Sequence, residues 1–302
     1  MTLQQLRYAV SVANNKSMNK AAAELFISQP SLSSTVRDLE EEIGIELFIR
    51  SNRGIIITPE GEEFLGHARQ IIEQCQLIED RYIENKKAKK KFSVSMQHYT
   101  FAVQAFIEMA KEFGMEDYEF AVHETKTHEV IDNVRNQKSE LGILYLNEFN
   151  QKAMEKLFRE YELEFTPLFQ CSIYVYLWEH NPLAEKEMIE FEDLKNYPCL
   201  SFEQGNNNSF YFAEEVFSTL DYKQIIKADD RATLLNLMVG LNGYTLCSGI
   251  ICEDLNGDRY KAIPLNTSDK MMIGYIKKSK MALSILGEKY IEELKKYKDK
   301  VL

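Results

Sequence analysis

Ser17-Met-Asn-Lys-Ala-Ala-Ala-Glu-Leu-Phe26, continued by Ile27-Ser-Gln-Pro-Ser-Leu-Ser-Ser-Thr-Val-Arg-Asp-Leu-Glu40, is the stretch that decides how this 302-residue chain reads. Ser17 can cap a helix whose Ala21, Ala22 and Ala23 let a neighbour approach closely, and Ser28 can cap a second helix with Pro30 at an early position. The second helix puts Leu32, Val36 and Leu39 on one face. Gln29, Ser31, Ser33, Ser34 and Arg37 are left for the outside or its flanks, a short polar surface suited to a DNA groove.

Working outward, Leu3, Leu6, Val10 and Ala13 recur at helical spacing, which predicts a first helix over 3–14. Beyond Gly44, Glu46 to Thr58 reads as two short strands around an Asn52-Arg53-Gly54 turn, a wing with Arg53 at its tip. Thr58 then caps a long helix with Pro59 at its start and Glu60, Glu62 and Glu63 in the first turns, where the helix dipole favours acids. Within that helix Phe64, Ala68, Ile71, Cys75, Ile78 and Tyr82 are spaced 4, 3, 4, 3, 4. This strict alternation predicts a seam against a second chain, where a looser 3.6-residue stripe would suit packing on the helix's own domain.

These residues resemble a known family. Ala21-Ala22, Leu25, Ser28 to Ser33, Leu39-Glu40, Gly44, Leu47 to Arg50 and Thr58-Pro59-Glu60-Gly61 look like a LysR-type transcriptional regulator. The resemblance implies a DNA-reading set of Gln29, Pro30, Ser31, Ser33, Ser34, Arg37, Arg50 and Arg53, with the wing arginine entering a minor groove or meeting a phosphate. Many family members carry a long polar or basic residue where this chain has Ser34, followed by Thr35, so base reading leans more on Gln29.

Composition sets the remaining bounds. The chain is long enough for more than one core, 45% of its residues are hydrophobic, and it has neither a run of about 18 apolar residues nor the basic and apolar regions of a signal peptide at Met1 to Gln5. A cytoplasmic protein with no membrane contact is expected. Five cysteines without a CxxC pair argue against a disulfide framework and a zinc site. The net charge of −11 is unusual for a DNA binder, but most of the acid excess lies beyond residue 58, and five lysines fall within 86–91 as a solvated hinge.

From Phe92 the pattern changes to alternating strands and helices: strand 92–96, helix 101–113, strand 119–124, helix 127–137 and strand 141–146. A second set follows, with strands at 173–178, 198–202, 223–228, 244–247 and 271–277 and helices at 210–218, 232–241 and 282–298. Such alternation predicts parallel sheets covered by helices. The expected fold class is therefore α/β with an all-α-type N-terminal head. It comprises a winged helix-turn-helix over 1–58, a linker helix and hinge over 59–91, and, as the resemblance implies, a two-lobed periplasmic-binding-protein-like effector domain over 92–302. The first lobe is expected at 92–165 and 268–302, the second at 166–267.

Ligands of open sheets bind beyond the carboxyl ends of strands, which selects the loops carrying Gln97, His98, Tyr99, Thr100, Thr125, Ser201, Arg231 and Ser248. Singly, each such loop reads as an ordinary helix cap; together, facing one cleft, they read as a binding site. His98 either bonds an effector carboxylate or holds its own loop, and Arg231 pairs either with an acid of the ligand or with Asp229 and Asp230. Ser95 to Phe101 and Asp230 to Leu234 look similar to the Gram-positive LysR-type regulators of cysteine and methionine metabolism. The implied partners are double-stranded promoter DNA, a small polar effector and further copies of the chain in a homodimer or homotetramer, with RNA polymerase as another candidate and no cofactor or metal.

Rival readings have fewer supporting residues. No GxSxG, phosphate-binding glycine loop or HExxH supports an enzyme. A solute-binding protein for transport leaves residues 1–60 unexplained, and a redox-responsive regulator would use Cys199 and Cys247 near the cleft.

Overall fold

The computed structural model describes residues 1–51, 54–82, 89–112, 117–205 and 209–300. The chain divides into two compact units, Met1–Lys89 and Lys90–Leu302.

In the first unit, α1 (Leu3–Asn15), α2 (Met18–Glu24) and α3 (Gln29–Ile43) precede β1 (Phe48–Ser51), β2 (Gly54–Ile57) and α4 (Pro59–Tyr82). The expected caps form: the Ser17 hydroxyl accepts the Lys20 N–H and the Ser28 hydroxyl accepts the Ser31 N–H. Between them the small Ala21 and Ala22 reach the core, where they meet Leu32, Val36 and Leu39 of α3. Glu40 reaches across with Oε1 to accept the Leu47 and Phe48 N–H groups at 2.7 and 3.1 Å, which fixes where the wing begins. The wing is antiparallel, with Phe48 opposite Ile57. Thr58 accepts the Gly61 N–H at 2.9 Å, and glycine is required at 61 because a Cβ there would stand 2.4 Å from the Leu47 carbonyl oxygen.

In the second unit, β3 (Lys90–Met96), α5 (Thr100–Lys111), β4 (Tyr118–Glu124), α6 (Thr127–Arg135), β5 (Leu141–Leu146), α7 (Gln151–Glu160) and β6 (Leu163–Cys171) build the first lobe. β7 (Tyr174–Trp178), α8 (Phe191–Leu194), β8 (Cys199–Phe202), β9 (Ile225–Ala228), α9 (Arg231–Leu241), β10 (Thr245–Cys247), α10 (Glu253–Asn256) and β11 (Tyr260–Pro264) build the second. β12 (Met271–Lys278) and α11 (Ile285–Lys295) return to the first.

The first sheet runs β4-β3-β5-β12-β6, parallel among β3, β4 and β5 but antiparallel where β12 meets β5 and β6. The expected all-parallel sheet is therefore mixed, because the strand that returns from the second lobe enters in the opposite direction. In the second lobe β10-β7-β11 is antiparallel and β8-β9 parallel, and a parallel bridge between Cys199 and Tyr244 joins the two.

Two further expectations are corrected. β6 continues through 163–171 on the first sheet, so the crossing falls at Ser172 rather than at 165/166; Pro167 within the strand, which cannot donate to a ladder, hid it from a strand reading. The helix expected at 210–218 is a single 3-10 turn, Phe210–Phe212. There the chain turns Glu214 and Glu215 inward, each 6% exposed, and Phe217 takes a left-handed φ of 62°, which breaks any helical run. Also unforeseen were α7, α8, α10 and β11.

Candidate functional site

The DNA-reading candidates share the N-terminal half of α3. Leu32 and Val36 are fully buried, so Pro30, Ser31, Ser34 and Arg37 are left exposed, with Gln29 and Ser33 half-buried at the flank. Thr35 spends its hydroxyl on the Ser31 carbonyl at 3.0 Å, and Arg37 stands 3.6 Å from Glu41 in an exposed pair that competes weakly with phosphate. Arg53 and the side chain of Arg50 lie outside the described residues.

The expected seam on α4 is divided. Phe64 packs against the head's own core and Ala68 is 1% exposed, so these two serve the subunit itself. Ile71 and Ile78, at 42% and 58% exposed, leave an uncovered apolar stripe beside half-buried Cys75. Arg7 binds Glu79 at 3.3 Å, which fastens α1 along the same helix. The Tyr82 side chain, Lys86 and Lys87 lie outside the described residues.

Between the lobes of the second unit lies a cavity of about 90 Å³. Of the eight effector residues expected from sequence, His98, Tyr99, Thr100, Arg231 and Ser248 line it. The other three do not. Gln97 is buried as a structural hub: its Nε2 donates to Thr127 at 2.6 Å, and its Oε1 accepts from the Tyr99 hydroxyl and the Tyr145 N–H. Thr125 bonds Glu129, and Ser201 lies within β8, 9% exposed.

The electrostatics of the cavity are set by pairs from opposite lobes. His98 follows β3 and Glu214 follows β8; Nδ1 of the ring lies 2.8 Å from Glu214 Oε2, which also accepts the His98 backbone N–H at 2.9 Å. Phe202 stacks on the imidazole at 3.6 Å between centroids and 4° between planes. Glu214 is completed by Gln204, whose own carbonyl accepts the Thr127 N–H across the lobes. Arg231, which starts α9, does not pair with its neighbours Asp229 or Asp230. It lies 2.9 Å from Glu124 of β4 and also donates to the Thr100 hydroxyl, which in turn accepts from Asn256 at 3.1 Å. Asp230 caps α9 through the Thr233 N–H, and Asp229 pairs with Lys126 at 3.2 Å.

Sequence reasoning missed Glu214, Glu215, Thr245 and Asn256, all of which line the cavity, together with Phe202 and with Cys247, which the sequence named only for the redox reading. A usable signal was the acid pair Glu214-Glu215 set between Ala213 and Val216, since solvated carboxylates rarely sit inside an apolar run. Burial, with the Glu214 charge second, holds the Glu215 carboxyl well above the usual carboxylate range. Burial also raises the thiols, Cys171 and Cys199 to about 12 and Cys247 to about 11. The cavity turn at Gly249 has φ 78°, and a Cβ there would meet the Tyr174 ring at 2.4 Å. Among the described residues no His, Cys, Asp and Glu cluster could hold a metal ion, and no helix is long and apolar enough to cross a membrane.

Comparison with known proteins agrees with both units. The bacterial regulatory helix-turn-helix protein, lysR family, matches residues 3–62, and the LysR substrate binding domain matches residues 100–297. The DNA-binding transcriptional dual regulator OxyR of Escherichia coli is 23% identical over 252 residues, covering 82% of this chain and 78% of that protein. The uncharacterised HTH-type transcriptional regulator YvbU of Bacillus subtilis is 27% identical over 217 residues, covering 70% and 69%. Full-length OxyR from Pseudomonas aeruginosa has the same fold at TM-score 0.63 and 20% identity, over 97% of this chain and 94% of its own. Full-length CbnR, solved with its target DNA, superposes at TM-score 0.56 and 18% identity, over 98% and 99%. With a LysR helix-turn-helix at one end and a LysR substrate-binding domain over most of the remainder, this chain belongs to the LysR family of DNA-binding transcriptional regulators.

Proposed function

We propose that this regulator acts in the cytoplasm as a dimer or tetramer, reads promoter DNA with Gln29, Ser31, Ser33 and Arg37 of α3, and senses a small polar metabolite in the cleft between its lobes. The observation that carries the sensing half is that five residues from three loops far apart in sequence, His98, Tyr99 and Thr100 of the first, Arg231 of the second and Ser248 of the third, line one cavity. A ligand touching both lobes favours one angle between them, and it shifts that equilibrium only by its differential affinity for the two arrangements. In an oligomer such a shift alters which DNA half-sites are occupied together, so the expected signature is a shortened footprint or an altered bend rather than loss of binding.

The finer reading is a metabolite of sulfur amino-acid metabolism, supported by the Ser95 to Phe101 and Asp230 to Leu234 resemblance. Thermal-shift titration with O-acetylserine, homocysteine and sulfate tests it, since a ligand at 100 times its Kd adds about 2.7 kcal/mol. No shift with any of them would remove the sulfur reading. A redox role has one observation in its favour, Cys247 on the cavity wall, together with relatives named hydrogen peroxide-inducible genes activators. Against it, burial raises the Cys247 thiol to about 11, which suppresses the thiolate that oxidation requires.

A further inference from the structure

The charges in the cleft are unevenly paired. Glu214 is engaged by His98 and Glu124 by Arg231, whereas among the described residues no ion pair reaches Glu215. Glu215 is 6% exposed; its Oε1 accepts the Phe202 N–H at 2.9 Å. Two groups lining the same cavity have no hydrogen-bond partner among the described residues: the Thr245 hydroxyl, on a residue 7% exposed, and Arg231 Nη2, which keeps a charge contact with Glu124 at 2.9 Å. A buried hydroxyl left in this way costs stability until something supplies a partner, and a buried carboxyl with no cation beside it costs more once it ionises.

The groups facing Glu215 are Glu214 from its own segment, Tyr99 ahead of α5, Tyr145 of β5, Cys199 of β8, Tyr222, and Lys227 of β9. Lys227 is their one cation, and its pull is smaller than the opposing effects of burial and of Glu214. Burial and the Glu214 charge therefore favour a protonated Glu215. An entering anion would meet Glu214 and Glu215 with Arg231 already neutralised by Glu124. An entering cation would meet a carboxyl ready to exchange its proton for an ion pair. Leu234, Leu235, Ile250 and Ile251 line the apolar side of the cavity, whose volume of about 90 Å³ limits a hydrocarbon group to a few carbons.

We propose that the effector of this cleft carries a protonated amine on a short alkyl chain, the ammonium pairing with Glu215 and donating to the Thr245 hydroxyl while the chain lies against Leu234, Leu235, Ile250 and Ile251. The assignment rests on the cleft being the effector site. Binding forms no covalent bond; the ammonium keeps its protons, and the proton held by Glu215 leaves to solvent.

The test uses the full-length protein with three probes of matched shape, isopentylamine, isopentanol and isovalerate, read by thermal shift and by calorimetry in buffers of different ionisation enthalpy. Isopentylamine at ten times its Kd is expected to raise the melting temperature by about 4 °C and to release up to one proton per site, while the alcohol and the acid do neither. Glu215→Gln, which keeps the shape of the protonated acid, should weaken amine binding at least tenfold and abolish the proton release; Thr245→Val should weaken it by a smaller factor. A shift with isovalerate or isopentanol but none with the amine overturns the amine class and leaves the cleft as the effector site. Amine binding without proton release, or undiminished in Glu215→Gln, overturns the role of Glu215. No shift with any of the three overturns the proposal, while the sulfur-metabolite titration judges the cleft separately.

Discussion

His98 and Glu214 are 116 residues apart in sequence, yet one carboxylate oxygen, Glu214 Oε2, lies 2.8 Å from the imidazole and 2.9 Å from the backbone nitrogen of the same histidine. The two residues come from different lobes, so this contact, with Phe202 stacked on the ring, is a clasp across the cleft as well as part of its wall. A sensor that must change the angle between lobes has to loosen this clasp or build on it.

Next to the clasp, Glu215 makes stability depend on pH in a definite direction. Its carboxyl is raised in the folded protein, so its contribution is fully present below the ordinary glutamate value of 4.5 and is lost as pH rises through the folded value. Wild type should therefore lose stability relative to Glu215→Gln by about 1.4 kcal/mol per pH unit above that point, until Glu215 ionises in the native state. Parallel urea denaturations of the two proteins from pH 4.5 upward give this difference directly, and parallel curves would contradict the burial argument.

Thr100→Val removes the hydroxyl that accepts from both Arg231 and Asn256 at nearly constant volume. Stranding those donors should cost about 1–3 kcal/mol of stability and remove the response to effector. Thermal unfolding with and without ligand reads both effects. Unchanged ligand affinity would move the site away from the start of α5.

On the DNA side, Gln29→Ala should weaken binding to the cognate promoter by about 1–3 kcal/mol and binding to random DNA very little. Competition assays at fixed salt measure the two losses. Equal losses would make Gln29 a phosphate contact.

Ile71→Asp places a charge in the middle of the exposed stripe that Ile71 and Ile78 form on α4. If that stripe is covered by a second copy, the charge is buried without a partner and sedimentation should show dissociation to monomers. A persistent oligomer would assign the contact to another surface.

The head was legible in sequence because its determinants are local: Ser17, Ser28 and Thr58 each bond a backbone N–H three residues on, and Leu32, Val36 and Leu39 repeat at helical spacing. The stripe on α4 was half legible. Its spacing marks a buried face without saying what buries it, and Phe64 and Ala68 proved to be covered by their own domain. In the cleft, residues flanking predicted strands and helix starts were found, whereas Glu214 and Glu215 were not, since they sit on a segment expected to be helical and take their meaning from His98, Phe202 and Gln204. Nothing near Arg231 in sequence points to Glu124, which is 107 residues away.

The position of β12 has a consequence for synthesis on the ribosome. This strand lies between β5 and β6, which are complete at Leu146 and Cys171, but it begins only at Met271. At the usual pace of translation the nascent first lobe waits on the order of ten seconds with the facing edges of β5 and β6 unpaired, while the whole second lobe is made. Those edges carry apolar residues such as Ile143, Leu144 and Phe169, the kind of surface on which chains associate wrongly. A chain interrupted in the second lobe would thus release a finished head joined to an unfinished sheet, a species prone to aggregate and a natural client for chaperones.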